Sequence, residues 1–586
     1  MNCSYVYCMK YTYNHGDKDR HGGTDLHLTK EGIMELSRRN FLKGGLAAGA
    51  ALGVTGLAGC TSNADEKPAT ETAGTDASMG ASSIKGTEWL GEAPKTTIDD
   101  CTKTVETEVL VVGSALAGSM AAYGAMRNGA KVTIIERNEA PHIGGMTISF
   151  FNSQTQKDAG LPMYDKVEVS NDMFNLTQYR ADMRLNSLWI NRSGELLDNL
   201  VKDFLEPYGQ YYMPISLEGI FPDPTQEITS YISTGVAFSE KTDILTDFTA
   251  NIHKFLVDSG VEEHYKVRGE KLVQDESGAV TGIIATDADG ESIYYHASKG
   301  VIMCTGSFGA NESMMKRFYP PHFADWALKY DEYTAYMGSS GITETMDDGL
   351  GHRMLCWAGA EMEEICGWAS WQTTAWRSFP YLLVNIKGER FMNECTSLLT
   401  SAHIIADQPG HGPFVWQIIP TNDFEMPSFF GYDKDTAAKM FDIENTEHYE
   451  ADSIEELAKK IDVPADTLKA TVDRYNELCN KGEDLDFMKA KRYLDPIDDG
   501  PYQAWKMYYY FYCTMGGVRC NDKLQVLDEN FDPIPRLYAA GNTVGYRFGS
   551  SYETLLHGGS NGLASTHGYI AGESAALGDK AIGNNI

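Results

Sequence analysis

The chain has 586 residues, of which 42% are hydrophobic and 11% aromatic, and this is enough for a large core and more than one globular unit. Its formal net charge of −33 argues against nucleic acid or an anionic membrane surface as a partner, because both would be repelled. The 11 cysteines include no C-x-x-C pair, so we predict no zinc, haem or iron–sulfur centre and no other metal site. Any redox chemistry would then draw its electrons from outside the chain.

The first sixty residues are typical of an export signal. Ser37–Lys43 matches the twin-arginine signal, and the apolar stretch Gly44–Ala58 after it is too short for a stable membrane span. The stretch ends in a sequence that resembles the lipobox of bacterial lipoproteins, in which Cys60 would be acylated; the alternative is a plain signal-peptide cysteine. We therefore expect export by the twin-arginine route and a lipid anchor at Cys60 on the extracytoplasmic side of the cell membrane.

Two further expectations concern this end of the chain. Residues 61–98 begin with a run rich in Ala, Thr, Ser, Gly and Asp, which predicts a flexible linker after the signal region 1–60. The purine-rich coding expected for Lys30–Met34 would resemble a ribosome-binding site followed by ATG, so we expect translation to start at Met34.

A strand–turn–helix–strand pattern follows the linker. The apolar run Glu108–Val112 predicts a strand, Ser119–Asn128 a helix, and Lys131–Ile135 a second strand that ends in Glu136. A glycine-containing turn, Gly113 to Gly118, joins the first strand to the helix. This arrangement is typical of a dinucleotide-binding fold.

Each position of the turn has a physical role in such a fold. Gly113 makes the tight turn, and Gly118 allows the helix and the strand to pack closely. Ala115 replaces the middle glycine, which weakens the motif taken alone. The pyrophosphate of the dinucleotide would sit at the helix N-terminus, and Glu136 would accept the ribose hydroxyls.

Four blocks in order resemble the flavoprotein subunits of fumarate reductase and succinate dehydrogenase and their ketosteroid dehydrogenase relatives. They are Glu108–Thr147, Val301–Gly309, Thr514–Gly517 and Leu537–Asn542. The resemblance implies an α/β fold in which a Rossmann-type FAD-binding domain carries an inserted α+β capping domain. It implies FAD-binding segments at 99–314 and 506–586, a capping domain at 315–505, and an active site between them.

Within the implied cap, Lys387–Glu394 and the helix-rich segment Ser453–Phe487 also resemble the family. A helix start at Ser453 is predicted independently, because Ser453 and Glu456 form a capping box ahead of apolar positions.

The resemblance also implies a set of FAD-binding residues. These are Gly113, Ala115, Gly118, Glu136, Gly144, Gly145, Met146, Thr147, Thr305, Gly306, Gly541, Asn542, Ser560 and Asn561. The last two lie in a glycine-rich loop before a small-residue helix, whose positive end would stabilise reduced flavin. Succinate dehydrogenases attach FAD through a histidine; here His142 lies at the wrong spacing, so we predict noncovalent FAD.

The sequence departs from the fumarate reductases where the substrate would bind. Leu398 stands where those enzymes have the proton-donating arginine, and Tyr512 where they have a histidine that contacts the substrate carboxylate. Arg547 matches a third position, near the C-terminal glycine loop, although the local sequence does not align cleanly. Fumarate is therefore not the expected substrate, since a leucine and a phenol cannot clamp a carboxylate bidentately.

We take Tyr552, Tyr512 and Arg547 as the candidate catalytic residues. A tyrosine hydroxyl can donate the proton that completes a reduction begun by hydride from the flavin, although both tyrosines could equally be core aromatics. Ketosteroid dehydrogenases also use tyrosines in this cleft. Two aromatic groups, the tryptophans Trp368, Trp371 and Trp376 and the run Tyr508–Tyr512, suggest a flat apolar pocket or, equally, ordinary packing.

These observations predict an FAD-dependent oxidoreductase that reduces the C=C bond of an α,β-unsaturated carbonyl or carboxyl compound, with an aromatic or polycyclic substrate favoured. One alternative is a ketosteroid-type dehydrogenase in the oxidative direction, and another is a non-catalytic electron-transfer lipoprotein. The one dinucleotide motif is used for FAD, so no nicotinamide site is apparent. We therefore expect an external electron donor, a membrane cytochrome or a quinol-linked protein. The enzyme would serve respiration on an external acceptor.

Overall fold

A computed structural model gives the fold of the chain after the linker. It describes residues 88–145, 147–216, 231–237, 248–319, 348–364, 368–373, 381–396, 401, 403–405, 407–409, 414–420, 447–498, 500–549, 552, 555–556 and 558–584. The predicted signal region, Met34, Cys60 and most of the predicted linker lie outside these residues, and the two family positions Met146 and Leu398 do as well.

The described part of the chain contains both strands and helices along its whole length. The strands are β1 (Lys103–Val112), β2 (Val132–Glu136), β3 (Thr147–Ser149), β4 (Tyr212–Ser216), β5 (Ile232–Ala237), β6 (Glu262–Tyr265), β7 (Arg268–Gln274), β8 (Val280–Thr286), β9 (Ser292–Met303), β10 (Trp368–Thr373), β11 (Leu382–Val384), β12 (Phe414–Pro420), β13 (His448–Ala451), β14 (Tyr502–Thr514), β15 (Gln525–Leu527) and β16 (Pro533–Ala539). The α-helices are α1 (Leu116–Arg127), α2 (Gln154–Asp158), α3 (Lys166–Leu176), α4 (Met183–Leu200), α5 (Phe248–Asp258), α6 (Glu312–Phe318), α7 (Leu350–Trp357), α8 (Ile454–Lys460), α9 (Ala465–Lys481) and α10 (Gly559–Leu577).

The largest sheet has a parallel centre. Its eight strands include the order β15-β16-β9-β1-β2-β6, with β8 pairing to β9 and β7 to β8. The pairs β16–β9, β9–β1, β1–β2 and β2–β6 are parallel. The register pairs Val112 with both Ile135 and Met303, and Met303 with Ala539, so four strands end at one edge of the sheet.

Helices α1 and α10 lie together against this sheet and approach unusually closely. A Cβ at Gly568 would lie 2.2 Å from the Ala117 carbonyl oxygen, and one at Gly572 would lie 2.1 Å from that of Ala121. Such distances exclude any side chain, so the small-residue composition of α10 follows from its packing on α1. Both helices belong to the main hydrophobic core, to which α7 also contributes Leu350, Met354 and Leu355.

The predicted strand–turn–helix–strand unit is present, with bounds that differ by a few residues. Strand β1 begins at Lys103 rather than Glu108. Residues 103–107 are mostly polar, but they pair with β9, and this neighbour holds them in the strand. Helix α1 begins at Leu116 rather than at Ser119, so the last part of the predicted turn, including Gly118, forms the first helical turn.

A second, antiparallel sheet has five strands in the order β10-β14-β12-β11, with β13 also paired to β14. Helices α8 and α9 share a hydrophobic core with it, which includes Leu457, Leu468 and Trp416. The helix start predicted at Ser453 is confirmed, since its hydroxyl accepts a hydrogen bond from the Glu456 N–H at 3.3 Å. The domain limits predicted at 315 and 505 stay a prediction.

A third, small sheet pairs β5 with β3 and with β4, all antiparallel. Among the described helices, none is both long and apolar enough to cross a membrane.

Candidate flavin and substrate site

The site is built where the parallel strands end. The Gly113 N–H donates to the Ile135 carbonyl at 2.9 Å, the Cys304 N–H to Val112 at 2.8 Å, and the Ala540 N–H to Met303 at 3.1 Å. These three bonds fix the first residue of each loop that leaves the carboxyl edge. Open α/β sheets bind their ligands at such an edge, just beyond the carboxyl ends of adjacent strands.

The turn after β1 requires both of its glycines. Gly113 has a φ of +101°, and a Cβ there would lie 2.3 Å from the Cys304 carbonyl oxygen. A Cβ at Gly118 would lie 1.9 Å from the Gly113 carbonyl oxygen. Ala115 caps the N-terminus of α1 without a side-chain hydrogen bond, so the first N–H groups of the helix remain available to an anion.

Glu136 ends β2 and is nearly buried at 9% exposure. Its Oε2 accepts hydrogen bonds from the Ser114 N–H at 2.9 Å and the Ser114 hydroxyl at 2.8 Å, and its Oε1 accepts one from the Asn138 N–H at 2.9 Å. A carboxylate has about four acceptor sites. Glu136 is thus oriented by the turn and retains capacity for a ribose hydroxyl.

A second group of predicted residues meets at the N-terminus of α10. The Asn561 side-chain amide donates to the Thr147 carbonyl at 2.9 Å, and Gly145, with a φ of +97°, leaves the space that this amide occupies. Ser560 lies in the first turn of the same helix. A Cβ at Gly144 would meet nothing within 4 Å, which leaves open space beside the loop.

The remaining predicted cofactor residues lie in the loops after β9 and β16. The Thr305 N–H donates to the Thr543 hydroxyl at 2.9 Å, which ties the two loops together. Gly306 and Gly541 have φ values of +77° and +70°, and a Cβ at Gly541 would lie 2.8 Å from that of Ala117 on α1. The turn, Glu136 and these glycine loops together form a cradle that fits FAD.

Arg547 is completely buried, at 0% exposure. Its Nε donates to the Val544 carbonyl at 2.8 Å and its Nη2 to the Asn542 side-chain oxygen at 3.0 Å. Its Nη1 has no partner among the described residues. Burial lowers the pKa of Arg547 to about 10, so it remains charged at neutral pH.

Tyr552 lies near Arg547 at the edge of an aromatic cluster. Its ring centroid is 5.3 Å from that of Phe548, and the cluster also contains Trp189, Tyr231 and Met515 of the Thr514–Gly517 block. Tyr552 itself is only partly buried. The structure thus brings together Arg547 and Tyr552, two of the three candidate catalytic residues.

The third candidate, Tyr512, lies on β14, but its side chain is outside what the structure describes. The backbone pairs β14 with β10, so that Trp371 stands opposite Tyr510 and Trp368 opposite Thr514. The two predicted aromatic groups are therefore adjacent in one sheet, while Trp376 lies outside the described residues.

One carboxyl group in this region was not predicted. Glu363 is 8% exposed, its N–H donates to the Gly517 carbonyl at 2.9 Å, and its Oε2 accepts from the Tyr546 N–H at 2.8 Å. Burial raises its pKa to about 7, although the Tyr546 N–H and nearby arginines, among them Arg547, oppose the shift. In the sequence, Glu363 stands in the acidic run Glu361–Glu364. Such a run is typical of a solvated surface, so the sequence does not indicate that Glu363 is buried.

Comparisons with known proteins agree with this geometry. A family model described as an FAD binding domain matches residues 108–563, and a model of the twin-arginine translocation signal matches residues 35–55. The chain is 27% identical over 512 residues to the vinyl phenol reductase of Lactiplantibacillus plantarum, a match covering 80% of this chain and 96% of that protein. It is 26% identical over 495 residues to the urocanate reductase of Eggerthella lenta, covering 80% and 75% respectively.

Among solved structures, the 3-ketosteroid-Δ4-(5α)-dehydrogenase of Rhodococcus jostii, in complex with 4-androstene-3,17-dione, has the same fold. Its TM-score is 0.63 at 23% identity, and the match covers 83% of this chain and 99% of that chain.

Fold and site together define a flavoprotein oxidoreductase. The chain belongs to the FAD-binding-domain family, and with it to the fumarate reductase and succinate dehydrogenase flavoprotein superfamily that the sequence blocks resemble. It is an FAD-dependent oxidoreductase acting on CH–CH groups, and its twin-arginine signal supports export. The individual cofactor contacts and the noncovalent attachment of FAD stay predictions.

The raised pKa of Glu363 makes stability depend on pH. Below about pH 4.5 the carboxyl is protonated in both states, whereas between about 4.5 and 7 only the unfolded chain ionises. The free energy of unfolding should therefore fall over this window, by about 3 kcal/mol, and Glu363→Gln should abolish that component. Urea unfolding of both proteins from pH 4 to pH 8 measures it.

Glu364→Gln is the matched control, because Glu364 is exposed and its removal should leave the pH profile intact. A wild type and a Glu363→Gln variant with parallel profiles between pH 4.5 and 7 would contradict the assignment.

Proposed function

We propose that this protein is an exported reductase of C=C bonds in α,β-unsaturated carbonyl or carboxyl compounds, and that aromatic or polycyclic substrates are favoured over fumarate. The observation that carries the proposal is the state of Arg547. Its Nε–H and one Nη2–H already donate to Val544 and Asn542, so three of its five N–H groups remain for a substrate. With Leu398 and Tyr512 in place of the arginine and histidine of the fumarate reductases, Arg547 would have to hold both carboxylates of a dicarboxylate alone.

The surroundings of Arg547 support a ring-bearing substrate. Phe548, Tyr552 and Met515 belong to an apolar cluster, and apolar walls with few polar groups are typical of pockets for such molecules. The names of two relatives, a vinyl phenol reductase and a urocanate reductase, refer to compounds in which a double bond is attached to a ring.

The second sheet and helices α8 and α9 would form the capping domain that covers the substrate, with the predicted limits 315–505. Its strand β14 leads directly into the Thr514–Gly517 block, which is close to Glu363 and Phe308. A cap attached in this way would exclude water from the cleft.

Reduced FAD would supply hydride to the β-carbon of the double bond. The protein would bind and polarise the carbonyl or carboxyl group through the Arg547 Nη1–H. It would deliver a proton to the α-carbon from the hydroxyl of Tyr552, with Tyr512 and Arg547 itself as the other candidate donors. Burial lowers the pKa of Arg547 to about 10, close to that of an ordinary tyrosine, and Arg547 therefore carries a proton at neutral pH that it could donate.

The substrate class can be tested by anaerobic stopped-flow reoxidation of the dithionite-reduced holoprotein. The panel is fumarate, urocanate, cinnamates and steroid enones, each without a partner protein. We expect an aromatic or polycyclic member to reoxidise the flavin at least tenfold faster than fumarate does, because Leu398 and Tyr512 replace two of the groups that bind a dicarboxylate in the fumarate reductases. A preference for fumarate would refute the substrate assignment, and no reoxidation by any member would favour a non-catalytic flavoprotein.

The donor assignment can be tested with Tyr552→Phe. Loss of the hydroxyl should slow reoxidation by the best substrate about 10²-fold or more, since a positioned proton donor contributes roughly that much, while substrate affinity changes little. Tyr179→Phe is the matched control, because Tyr179 is 66% exposed. An unchanged rate in Tyr552→Phe would transfer the role to Tyr512 or Arg547.

We also propose that Cys60 is lipid-modified and that a membrane cytochrome or a quinol-linked protein supplies electrons on the extracytoplasmic side. The matched twin-arginine signal ends at residue 55, just before the lipobox-like sequence that contains Cys60.

The anchor predicts the location of a Cys60→Ser variant. The wild type should fractionate with membranes and be released by detergent, whereas the variant should not acquire a fatty acyl label. Incorporation of labelled palmitate, followed by membrane fractionation, measures both. Equal labelling of the two proteins would place the acyl group elsewhere and contradict the assignment.

A further inference from the structure

We propose that His253 and Glu263 form a positioning pair that orients the dinucleotide-binding turn for FAD. His253 lies on α5 and Glu263 on β6, both outside the motif itself, and both side chains are nearly buried, at 6% and 7% exposure. The His253 Nδ1 is 2.7 Å from the Glu263 Oε1, and its Nε2 is 3.0 Å from the carbonyl oxygen of Ser114 in the turn.

The partners of the ring determine where its protons lie. The Ser114 carbonyl oxygen can only accept, so the Nε2 atom must carry a hydrogen and donate it. The Ser119 hydroxyl, 3.2 Å from the same nitrogen, can donate instead to the Ser114 carbonyl at 3.0 Å or to the Ala115 carbonyl at 3.2 Å. Because Nδ1 faces a carboxylate, a second proton lies between the ring and Glu263. The pair thus holds His253 as a donor toward the turn.

This bond fixes a peptide plane that faces the cofactor. The Ser114 carbonyl and the Ala115 N–H belong to one planar trans peptide and point in opposite directions. With the carbonyl held by His253, the Ala115 N–H is directed to the other side. Within the part of the chain that the structure describes, no acceptor takes that N–H, as expected for a group reserved for a phosphate oxygen.

The pair is also connected, through Ser114, to the carboxylate of Glu136. Ser114 donates its N–H and hydroxyl to Glu136 while its carbonyl accepts from His253, so one residue couples the ribose-binding carboxylate to the pair. Tyr265 donates to the second oxygen of Glu263 at 2.6 Å, and its backbone pairs with Glu136. Tyr265, Glu263, His253 and Ser114 therefore form a continuous, largely buried hydrogen-bond chain that ends at the turn.

The test uses His253→Leu in the full-length mature protein. Leucine cannot donate to the Ser114 carbonyl, and Glu263→Leu removes the carboxylate that holds the ring. FAD is removed from wild type and variants, and its Kd is measured by quenching of FAD fluorescence. We expect both variants to raise the Kd at least tenfold, and His253→Gln, whose amide can donate at the position of Nε2, to recover part of the loss. Glu263→Gln should have a small effect, because the glutamine NH2 can donate to Nδ1 while the neutral ring keeps its hydrogen on Nε2.

The melting temperature of each apoprotein separates positioning from a general structural role. We expect His253→Leu to melt within a few degrees of the wild type while it binds FAD more weakly. His264→Gln on the same strand is the matched control, because the His264 Nδ1 contacts the Tyr295 hydroxyl at 2.9 Å and not the turn. Its Kd should be unchanged.

Two results would overturn the proposal: an unchanged Kd in His253→Leu, or a Kd that rises only in proportion to lost apoprotein stability and rises equally in His264→Gln. If His253→Leu does not fold, Glu263→Leu decides the question. The FAD content of the purified proteins gives the same comparison without removal of the cofactor.

Discussion

The structure depends on the close approach of helix α1 to the strand end from which it starts. A Cβ at Gly118 would lie 1.9 Å from the Gly113 carbonyl oxygen, and the glycines of α10 approach the backbone of α1 almost as closely. Only backbone can occupy these contacts, so the helix N-terminus lies at the carboxyl edge of the parallel strands with little freedom. The loops that bind the cofactor then follow from strand register, since β1, β2, β9 and β16 end together.

Buried charge divides the molecule into regions with different roles. Beside the second sheet and its helices, Arg390, Glu394 and Asp484 form hydrogen bonds of 2.8 Å, and the buried ammonium of Lys489 lies 3.5 Å from Glu394. Every charge in that network has an opposite partner, which is what a purely structural role requires. The block Lys387–Glu394 that resembles the family is therefore part of the scaffold of this region.

The buried arginine near the glycine loops differs, because Arg547 donates to the neutral oxygens of Val544 and Asn542 and not to a carboxylate. Burial also raises the pKa of the nearby Glu363 to about 7. A buried charge that forms no close ion pair is costly to a folded protein and persists where function uses it. This contrast supports the proposal that substrate atoms are contacted around Arg547.

Much of the cofactor-binding fold could be predicted from the sequence, because its signals are local. Gly113 and Gly118 indicate a tight turn, Glu136 ends an apolar strand, and Ser453 caps a helix. Each of these signals is contained within a few consecutive residues. Strand β1 was underestimated because its first half is polar and is held by β9, whose residues lie about 190 positions away. Local pattern carries no information about such a neighbour.

The same limit explains which site residues were missed. Glu363 lies in an acidic run and His253 in an amphipathic helix. The sequence around each of them looks the same as it would around a surface residue. Their burial results from contacts with Gly517 and Ser114, 154 and 139 residues away along the chain. A hydrogen-bond partner at that distance can be identified only once the strands are paired. For this reason the cofactor motif can be read from the chain, while the residues that orient it and tune its charge cannot.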